Sequence, residues 1–460
     1  MSIGTLVSRR FAIFACLVLA VATPLANAWA QSGQRLQLIR DAEIESTIRA
    51  FVTPIWRVAG LNPEAVDILI VNDPGLNAFV AAGQRIFLNT GLLMRTERPN
   101  QLIGVLAHET GHIAGGHLAR QQEELRALST LQILEMILAG GAIAGSATSG
   151  GGVGRGGPTG SSAAPPSIGL FLKYTQTQEN AADQAAIGYL ERTGQSTKGS
   201  VEFLRILLQQ ERMLLGRRDP YLSTHPLTQD RIAFFEEAAL RSPHANAPDP
   251  PRFIEQHGRM VAKLFGFIAP EQALQRYSES DRSVPARYAR AIALFRRANL
   301  GSALLTLDGL LKDAPNDPYF HELRGQALFE NGRALEALPS YRRAVQLLPQ
   351  SGLLKIDLAR ALVETNRPEN DREAVRALDQ AGPSESDSFE LWRLQAIAQQ
   401  RLGNAGLTSL ARAEMAILRG QRSEAVAHAS QAERQLTPNT PAWLRAQDIK
   451  AFVESRRPRR

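Results

Sequence analysis

Residues 106–117 constrain the fold more than any other stretch, and they read Leu-Ala-His-Glu-Thr-Gly-His-Ile-Ala-Gly-Gly-His. His108, Glu109 and His112 form a complete H-E-x-x-H pattern, which follows an apolar run without proline and therefore predicts a helix. Because residues four apart lie on one face of a helix, the two imidazoles converge as two ligands of a tetrahedral zinc ion. The carboxylate of Glu109 then lies beside the metal, where a general base belongs.

A third metal ligand is predicted on the next long helix, at residues 170–190. Glu179 and Asp183 are four apart there, so both carboxylates face one side. An isolated Glu-x-x-x-Asp is more often a solvated face, but here it follows a two-histidine motif that lacks a third ligand. We predict that Glu179 binds the metal and that Asp183 accepts the outer N–H of a ligating histidine. His117 is about 140° around the helix from His112 and is predicted to point away from the metal.

The first 30 residues are predicted to be a secretory signal peptide. A pair of arginines precedes an apolar run at 11–25, and small-residue patterns ending at Ala28 or Ala30 each fit a cleavage site. The arginine pair leaves a twin-arginine signal open. An uncleaved anchor helix is the alternative, but the apolar run is short for a bilayer and is interrupted by Pro24.

Cysteine content and net charge limit the metal ligands and the partners that this chain is expected to have. Cys16 is the one cysteine and lies in the apolar run, so the mature chain is expected to hold its metal through histidine and carboxylate. The formal net charge is +7, but basic residues do not cluster before the C-terminal arginines. We therefore expect no nucleic-acid partner, because that function needs a clustered basic face with aromatic residues. Peripheral contact with an anionic membrane surface stays open.

Several elements are predicted before the metal-site helix. In chain order they are an amphipathic helix at 36–59, a strand at 66–71, a hairpin at 77–88 with its turn at the glycine, and a helix from residue 90. Asn100 is predicted to cap the metal-site helix. A short sheet beside that helix is suited to holding an extended peptide as an added strand.

The region between the two halves of the metal site is predicted to control access to it. Residues 128–143 are apolar except for Gln132 and Glu135. They fit a buried helix, a lid over the site, or an element lying in a membrane surface. Residues 140–169 are dense in Gly, Ser, Ala and Pro, and they are predicted to form a mobile loop.

A repeat region is predicted after a proline-rich linker at 242–251. Pro315, Pro349 and Pro383 are 34 residues apart, which is the period of tetratricopeptide helix pairs. We expect about four pairs, with an insertion near 367–372, that form a curved solenoid whose concave face binds protein.

Taken together, these motifs resemble peptidase family M48, and with the signal peptide and repeats they resemble its periplasmic subgroup. The matching residues are His108-Glu109-Thr110-Gly111-His112, Glu179 with Asp183, Asn77-Ala78-Phe79 with Gly91-Leu92-Leu93, and Thr224-His225-Pro226 with Arg231. The resemblance implies one zinc ion per chain, bound by His108, His112 and Glu179, with Glu109 as the general base. It also implies that His225 supplies a fourth, inhibitory ligand and that Arg231 supports the active site. By itself, a histidine before proline is more often a turn or packing residue.

The resemblance also implies a fold class and a domain division. The fold class is α+β and mostly helical, with a zincin-type metalloprotease domain that contains a small sheet, followed by an all-α tetratricopeptide solenoid. The predicted division is a signal peptide at 1–30, a peptidase domain at 31–250, connecting helices at 251–283 and a repeat domain at 284–460.

The implied function is a periplasmic zinc endopeptidase that degrades misfolded or stalled outer-membrane proteins and assists β-barrel assembly. Its implied partner is the outer-membrane β-barrel assembly machinery, contacted through the repeats. The alternative is a periplasmic repeat chaperone or adaptor with a structural or regulatory zinc ion, against which the intact Glu109 argues. An integral membrane peptidase, based on residues 128–143, is a further alternative.

Overall fold

The structure is a computed structural model, and it describes residues 37–81, 83–117, 176–213, 225 and 229–455. The predictions for the signal peptide, for residues 128–143, for the loop at 140–169 and for the terminal arginines lie outside these residues. Among the described helices, none is long and apolar enough to cross a membrane.

The N-terminal half combines one small sheet with six helices in the described residues. In chain order the elements are β1 (Leu38–Ile39), α1 (Ala42–Val58), β2 (Asp67–Val71), β3 (Ala78–Ala81), β4 (Arg85–Asn89), α2 (Thr90–Arg95), α3 (Pro99–Ala114), α4 (Gln176–Arg192), α5 (Lys198–Met213) and α6 (Gln229–Arg241).

The four strands lie in the order β1-β2-β4-β3. The predicted hairpin is confirmed, because β3 pairs antiparallel with β4 and Gly83 has a φ of +97° at the turn. The strand β2 pairs with β4 in parallel. The predicted helix start at residue 36 is wrong, because Leu38 and Ile39 pair with β2 instead. Helix α1 begins after Asp41, whose carboxylate accepts two backbone N–H groups of the first turn.

Helix α3 is the predicted metal-site helix, and it lies in the middle of the core. Every residue from Pro99 to His112 is buried, and the helix packs against α1, β3, α4 and α5. The prediction that Asn100 caps this helix is wrong, because the helix begins at Pro99, whose missing N–H suits a first position. The Asn100 side chain instead accepts the N–H of Gly199 in the first turn of α5 and donates to the carbonyl of Ser196.

The C-terminal half is helical throughout its described residues. After α7 (Pro251–Ile268) and α8 (Pro270–Arg276), five helix pairs follow: α9 (Val284–Arg296) with α10 (Leu300–Asp313), α11 (Pro318–Glu330) with α12 (Ala334–Leu347), α13 (Gly352–Glu364) with α14 (Pro368–Glu385), α15 (Phe389–Arg401) with α16 (Ala405–Leu418), and α17 (Arg422–Gln435) with α18 (Pro441–Ser455). The count of five within residues 284–455 replaces the expected four.

The insertion expected near 367–372 is not found there, because α12 and α14 begin 34 residues apart, and the added residues lie at the C-terminal end of α14. Helix α14 has 18 residues, whereas α12, the second helix of the preceding pair, has 14. Pro315 and Pro349 each follow a helix end, as the period predicts, but Pro383 lies inside α14. The 34-residue spacing is therefore kept at Pro383 while its structural position changes, because the added residues extend the helix past it.

A buried charge cluster joins the start of α1 to α7 and α11. It consists of Asp41, Glu43, Arg259, Lys263 and Glu322. The Lys263 ammonium is 1% exposed and lies 2.8 Å from Asp41, 3.4 Å from Glu43 and 3.2 Å from Glu322. Arg259 donates to Glu43 over 2.7 Å. Because isolated buried charges are costly, this mutual pairing is what allows α1 to pack on the helices of the C-terminal half.

The charge cluster is expected to make stability depend on pH through Glu322. Burial raises the pKa of Glu322 to about 8 from its ordinary 4.5, against the opposing effect of Lys263 and with help from Asp41. Between pH 4.5 and about pH 8, Glu322 is protonated in the folded chain and ionised in the unfolded chain. The free energy of unfolding therefore falls as pH rises through this range. We expect Glu322→Gln to flatten this fall, as measured by the thermal midpoint from pH 5 to pH 8.

A matched control lies on the same helix. Glu330→Gln replaces an exposed carboxylate at the end of α11 and is expected to keep the pH dependence of the parent. A slope for Glu322→Gln equal to that of the parent would refute the assignment of this proton to Glu322.

Candidate metal centre

Four buried side chains converge at one point between α3 and α4. Helix α3 contributes His108 and His112, α4 contributes Glu179, and His225 comes from the segment that precedes α6. Their ligand atoms all lie within 4.8 Å of one another. The structure therefore brings together the three predicted ligands and His225, which the resemblance implies as the fourth.

Four of the six distances between these atoms are close to the edges of a tetrahedral ion. Nε2 of His108 lies 3.1 Å from Nε2 of His112 and 3.3 Å from Nδ1 of His225. Oε1 of Glu179 lies 3.3 Å from Nε2 of His112 and 2.9 Å from Nδ1 of His225. A tetrahedron with bonds of about 2.0–2.1 Å has edges of about 3.3–3.4 Å, and three nitrogens with one carboxylate oxygen are a donor set that zinc accepts.

Glycine allows the two ligand helices to approach each other. A Cβ atom on Gly111 would lie 2.8 Å from the carbonyl oxygen of Ala182 and 2.9 Å from its Cα atom. Ala182 is on α4, between Glu179 and Asp183. Any larger residue at position 111 would therefore push α4, and both carboxylates with it, away from the histidines of α3.

Asp183 lies beside His108, one of the two histidines that the sequence predicts as its partner. Its Oδ1 is 2.8 Å from Nδ1 of His108. Burial alone would raise the pKa of Asp183, but its hydrogen bonds with His108 and Arg231 lower it below the usual range. An ionised Asp183 at this distance favours the tautomer with its proton on Nδ1, which leaves the Nε2 lone pair of His108 directed at the other ligand atoms.

Arg231 connects the two carboxylates of α4. Its guanidinium donates to Asp183 over 2.6 Å and 2.8 Å and lies 2.7 Å from Oε2 of Glu179. Burial opposes ionisation of Glu179, but the neighbouring His225 and His108 hold the pKa of Glu179 far below its ordinary value. Both carboxylates are therefore anionic acceptors held in place by one buried arginine.

Glu109 is enclosed beside the ligand atoms. Its side chain is 0% exposed, and neither oxygen accepts a hydrogen bond from the part of the chain that the structure describes. Oε1 lies 3.5 Å from Nε2 of His225. Burial raises the pKa of Glu109, although His225 and His108 act in the opposite direction. A raised pKa makes this carboxylate a better proton acceptor than an exposed one, which suits a general base.

His117 lies elsewhere than the sequence predicts. Helix α3 ends at Ala114, and Gly116 has a φ of +61°. The chain turns back there, so that Nδ1 of His117 lies 3.0 Å from Nδ1 of His112. The predicted position, about 140° around a continuous helix from His112, is wrong, but His117 adds no atom to the converging ligands, in agreement with the prediction that it points away from the metal. The glycine pair before His117 is the sequence signal that marks the helix end.

Two families match separate parts of the chain. Residues 39–239 match Peptidase family M48, and residues 328–398 match a tetratricopeptide repeat family. The first match contains all four converging residues as well as Glu109, Asp183 and Arg231.

Three relatives have a similar sequence. The beta-barrel assembly-enhancing protease of Yersinia pestis is 26% identical over 78% of this chain and 72% of its own length. The protein of the same name from Escherichia coli K12 is 26% identical over 80% and 74%. The mitochondrial metalloendopeptidase OMA1 of Schizosaccharomyces pombe is 26% identical over 40% and 49%. The chain therefore contains a peptidase domain of family M48, followed by tetratricopeptide repeats.

Proposed function

We propose that this chain is a periplasmic zinc-dependent endopeptidase that cleaves misfolded or stalled outer-membrane proteins and assists β-barrel assembly. The observation that carries this proposal is the converging set of four buried side chains with an enclosed carboxylate, Glu109, beside it. The names of the relatives from Yersinia pestis and Escherichia coli support the substrate class. The predicted signal peptide supports the location. In this proposal residues 31–250 carry the peptidase and residues 284–460 the repeats.

Each site residue has a distinct role in the proposed hydrolysis. His108, His112 and Glu179 hold the zinc ion, which when bound would polarise the scissile carbonyl and lower the pKa of a water molecule. Glu109 takes a proton from the attacking water and returns it to the leaving amine. Asp183 fixes the tautomer of His108 through the contact at Nδ1.

The fourth converging residue makes the resting chain latent in this proposal. A hydrolytic zinc site needs three protein ligands and an open fourth position. Nδ1 of His225 occupies that position, at 3.3 Å from His108 and 2.9 Å from Glu179. Movement of His225 away from the other ligands is then the step that admits water and substrate.

His225→Ala is expected to raise proteolysis while zinc stays bound. If the open form is populated to about 10% or less in the parent, removal of the fourth ligand raises the rate about tenfold or more. The measurement is cleavage of an unfolded β-barrel outer-membrane protein by the purified chain, with zinc counted in each sample. His244→Ala is the control, because His244 lies in the turn after α6, outside the site. If His225→Ala keeps its zinc ion but its activity is unchanged or lower, the proposal that His225 holds the resting chain latent is refuted.

The same assay tests the proposed function. Comparison of an unfolded β-barrel protein with the same protein folded in detergent is expected to show cleavage of the unfolded form alone. The five helix pairs favour a second candidate, a chaperone or adaptor that acts through the repeats on the β-barrel assembly machinery. A zinc-loaded His225→Ala chain that cleaves neither form but slows aggregation of the unfolded one would replace the endopeptidase by this candidate.

A further inference from the structure

The end of helix α3 brings a third histidine of the motif region against a metal ligand. The His117 and His112 rings lie edge to face, with their centroids 5.1 Å apart and their planes at 74°. The two Nδ1 atoms are 3.0 Å apart, which is hydrogen-bonding distance. His117 contributes no atom to the set of converging ligands.

The backbone that places His117 is a Schellman turn. The N–H of His117 donates to the carbonyl of His112, and the N–H of Gly116 donates to the carbonyl of Ile113. This pair of bonds, with a left-handed residue between the helix and the last donor, defines the motif. Gly116 takes the left-handed conformation at φ +61°. The turn therefore places residue 117 directly against residue 112.

Gly115 leaves space for the imidazole of His117. A Cβ atom at position 115 would lie 2.5 Å from Nε2 of His117 and 2.9 Å from its Cδ2 and Cε1 atoms. The two glycines thus act differently, since Gly116 supplies the backbone conformation and Gly115 the room for the ring.

The chemistry of imidazole gives this contact a direction. His112 presents Nε2 to the other ligands, as its 3.3 Å distance to Glu179 shows. A neutral histidine that binds a metal through Nε2 carries its proton on Nδ1, so His112 must be the donor in the contact. His117 then accepts that proton through the lone pair of its own Nδ1.

We propose that His117 is a positioning residue that holds the His112 ring in its metal-binding orientation and tautomer. This inference rests on the proposed zinc site. In this proposal His117 holds His112 as Asp183 holds His108. Each of the two histidine ligands on α3 then has a partner at its outer nitrogen. Outer partners of this kind contribute to metal affinity as well as to activity.

The test is the zinc affinity of the full chain, measured by competition with a chromophoric chelator. His117→Phe keeps a ring of similar size without an acceptor, and it is expected to weaken zinc binding about 10- to 100-fold. His117→Gln supplies a side-chain carbonyl that accepts an N–H, and it is expected to recover part of that loss. His244→Ala is again the control and is expected to bind zinc as tightly as the parent.

Two results would overturn this role. Parent-like zinc affinity in His117→Phe would show that His112 needs no outer acceptor, and equal losses in His117→Phe and His117→Gln would show that the effect is one of packing. Thermal midpoints of the zinc-free chains are measured alongside and are expected to agree, which separates a local effect from misfolding. A parent chain that binds no zinc would instead refute the proposed site itself.

Discussion

Glu109→Gln is expected to abolish cleavage of an unfolded protein substrate while the chain keeps its zinc ion. Glutamine has nearly the shape of glutamate but takes no proton from water, so the step assigned to Glu109 stops. The loss of a general base costs roughly 10²- to 10⁴-fold in rate. Glu109 is not among the four converging ligands, so metal binding is expected to remain.

The measurement is best made in the His225→Ala background, where the proposed site is open. Rates and zinc content are compared for His225→Ala alone, for His225→Ala with Glu109→Gln, and for His225→Ala with Glu237→Gln. Glu237 is an exposed carboxylate of α6 that pairs with Arg241, and its change is expected to leave the rate unaltered. Full proteolysis by the chain with Glu109→Gln would show that Glu109 is not the general base. Loss of zinc from that chain would show that Glu109 contributes to metal binding.

Lys263→Met is expected to lower the free energy of unfolding by about 3–5 kcal/mol, because removal of one partner leaves buried charges unpaired. Lys263 is the cation shared by Asp41, Glu43 and Glu322. Its pKa is raised well above the ordinary value by these carboxylates, although burial acts against them. The stabilisation by its charge is therefore fully present at neutral pH and is lost only as pH rises towards that raised pKa.

Chemical denaturation of the parent and the variant measures this effect. Lys312→Met is the control, because Lys312 is an exposed residue of α10, and surface changes usually stay within about 0.5 kcal/mol. A loss for Lys263→Met no larger than that of the control would contradict a role for the charge cluster in stability.

The side chains that both the sequence and the structure group together do so through local geometry. His108, Glu109 and His112 lie on one helix, and so do Glu179 and Asp183, so a period of 3.6 residues is enough to say which side chains share a face. The contact between His108 and Asp183 was predictable for the same reason, once two helices were assumed to face each other. The hairpin at Gly83 was likewise indicated by a turn residue between two apolar runs.

The wrong predictions concern the ends of elements. Asn100, Leu38 and His117 were assigned from apolar period or from capping preference, and in each case another interaction decides the outcome. The Asn100 side chain accepts a hydrogen bond from the first turn of α5, which lies about a hundred residues further along the chain. Leu38 joins a strand, and His117 follows a turn whose two glycines have separate tasks. Helix and strand ends depend on such competing contacts, which periodicity does not report.

Residue types and helical spacing are enough to predict the site, because they define a two-histidine motif, a paired carboxylate and a 34-residue repeat. Folding brings into contact residues whose proximity their spacing along the chain does not report. His225 is 46 residues from Glu179, and Lys263 is 59 residues from Glu322, yet both pairs are in contact. The physical reason is that buried charges and metal ligands are stabilised only by partners brought close through packing, and a linear pattern carries no distance between separate helices.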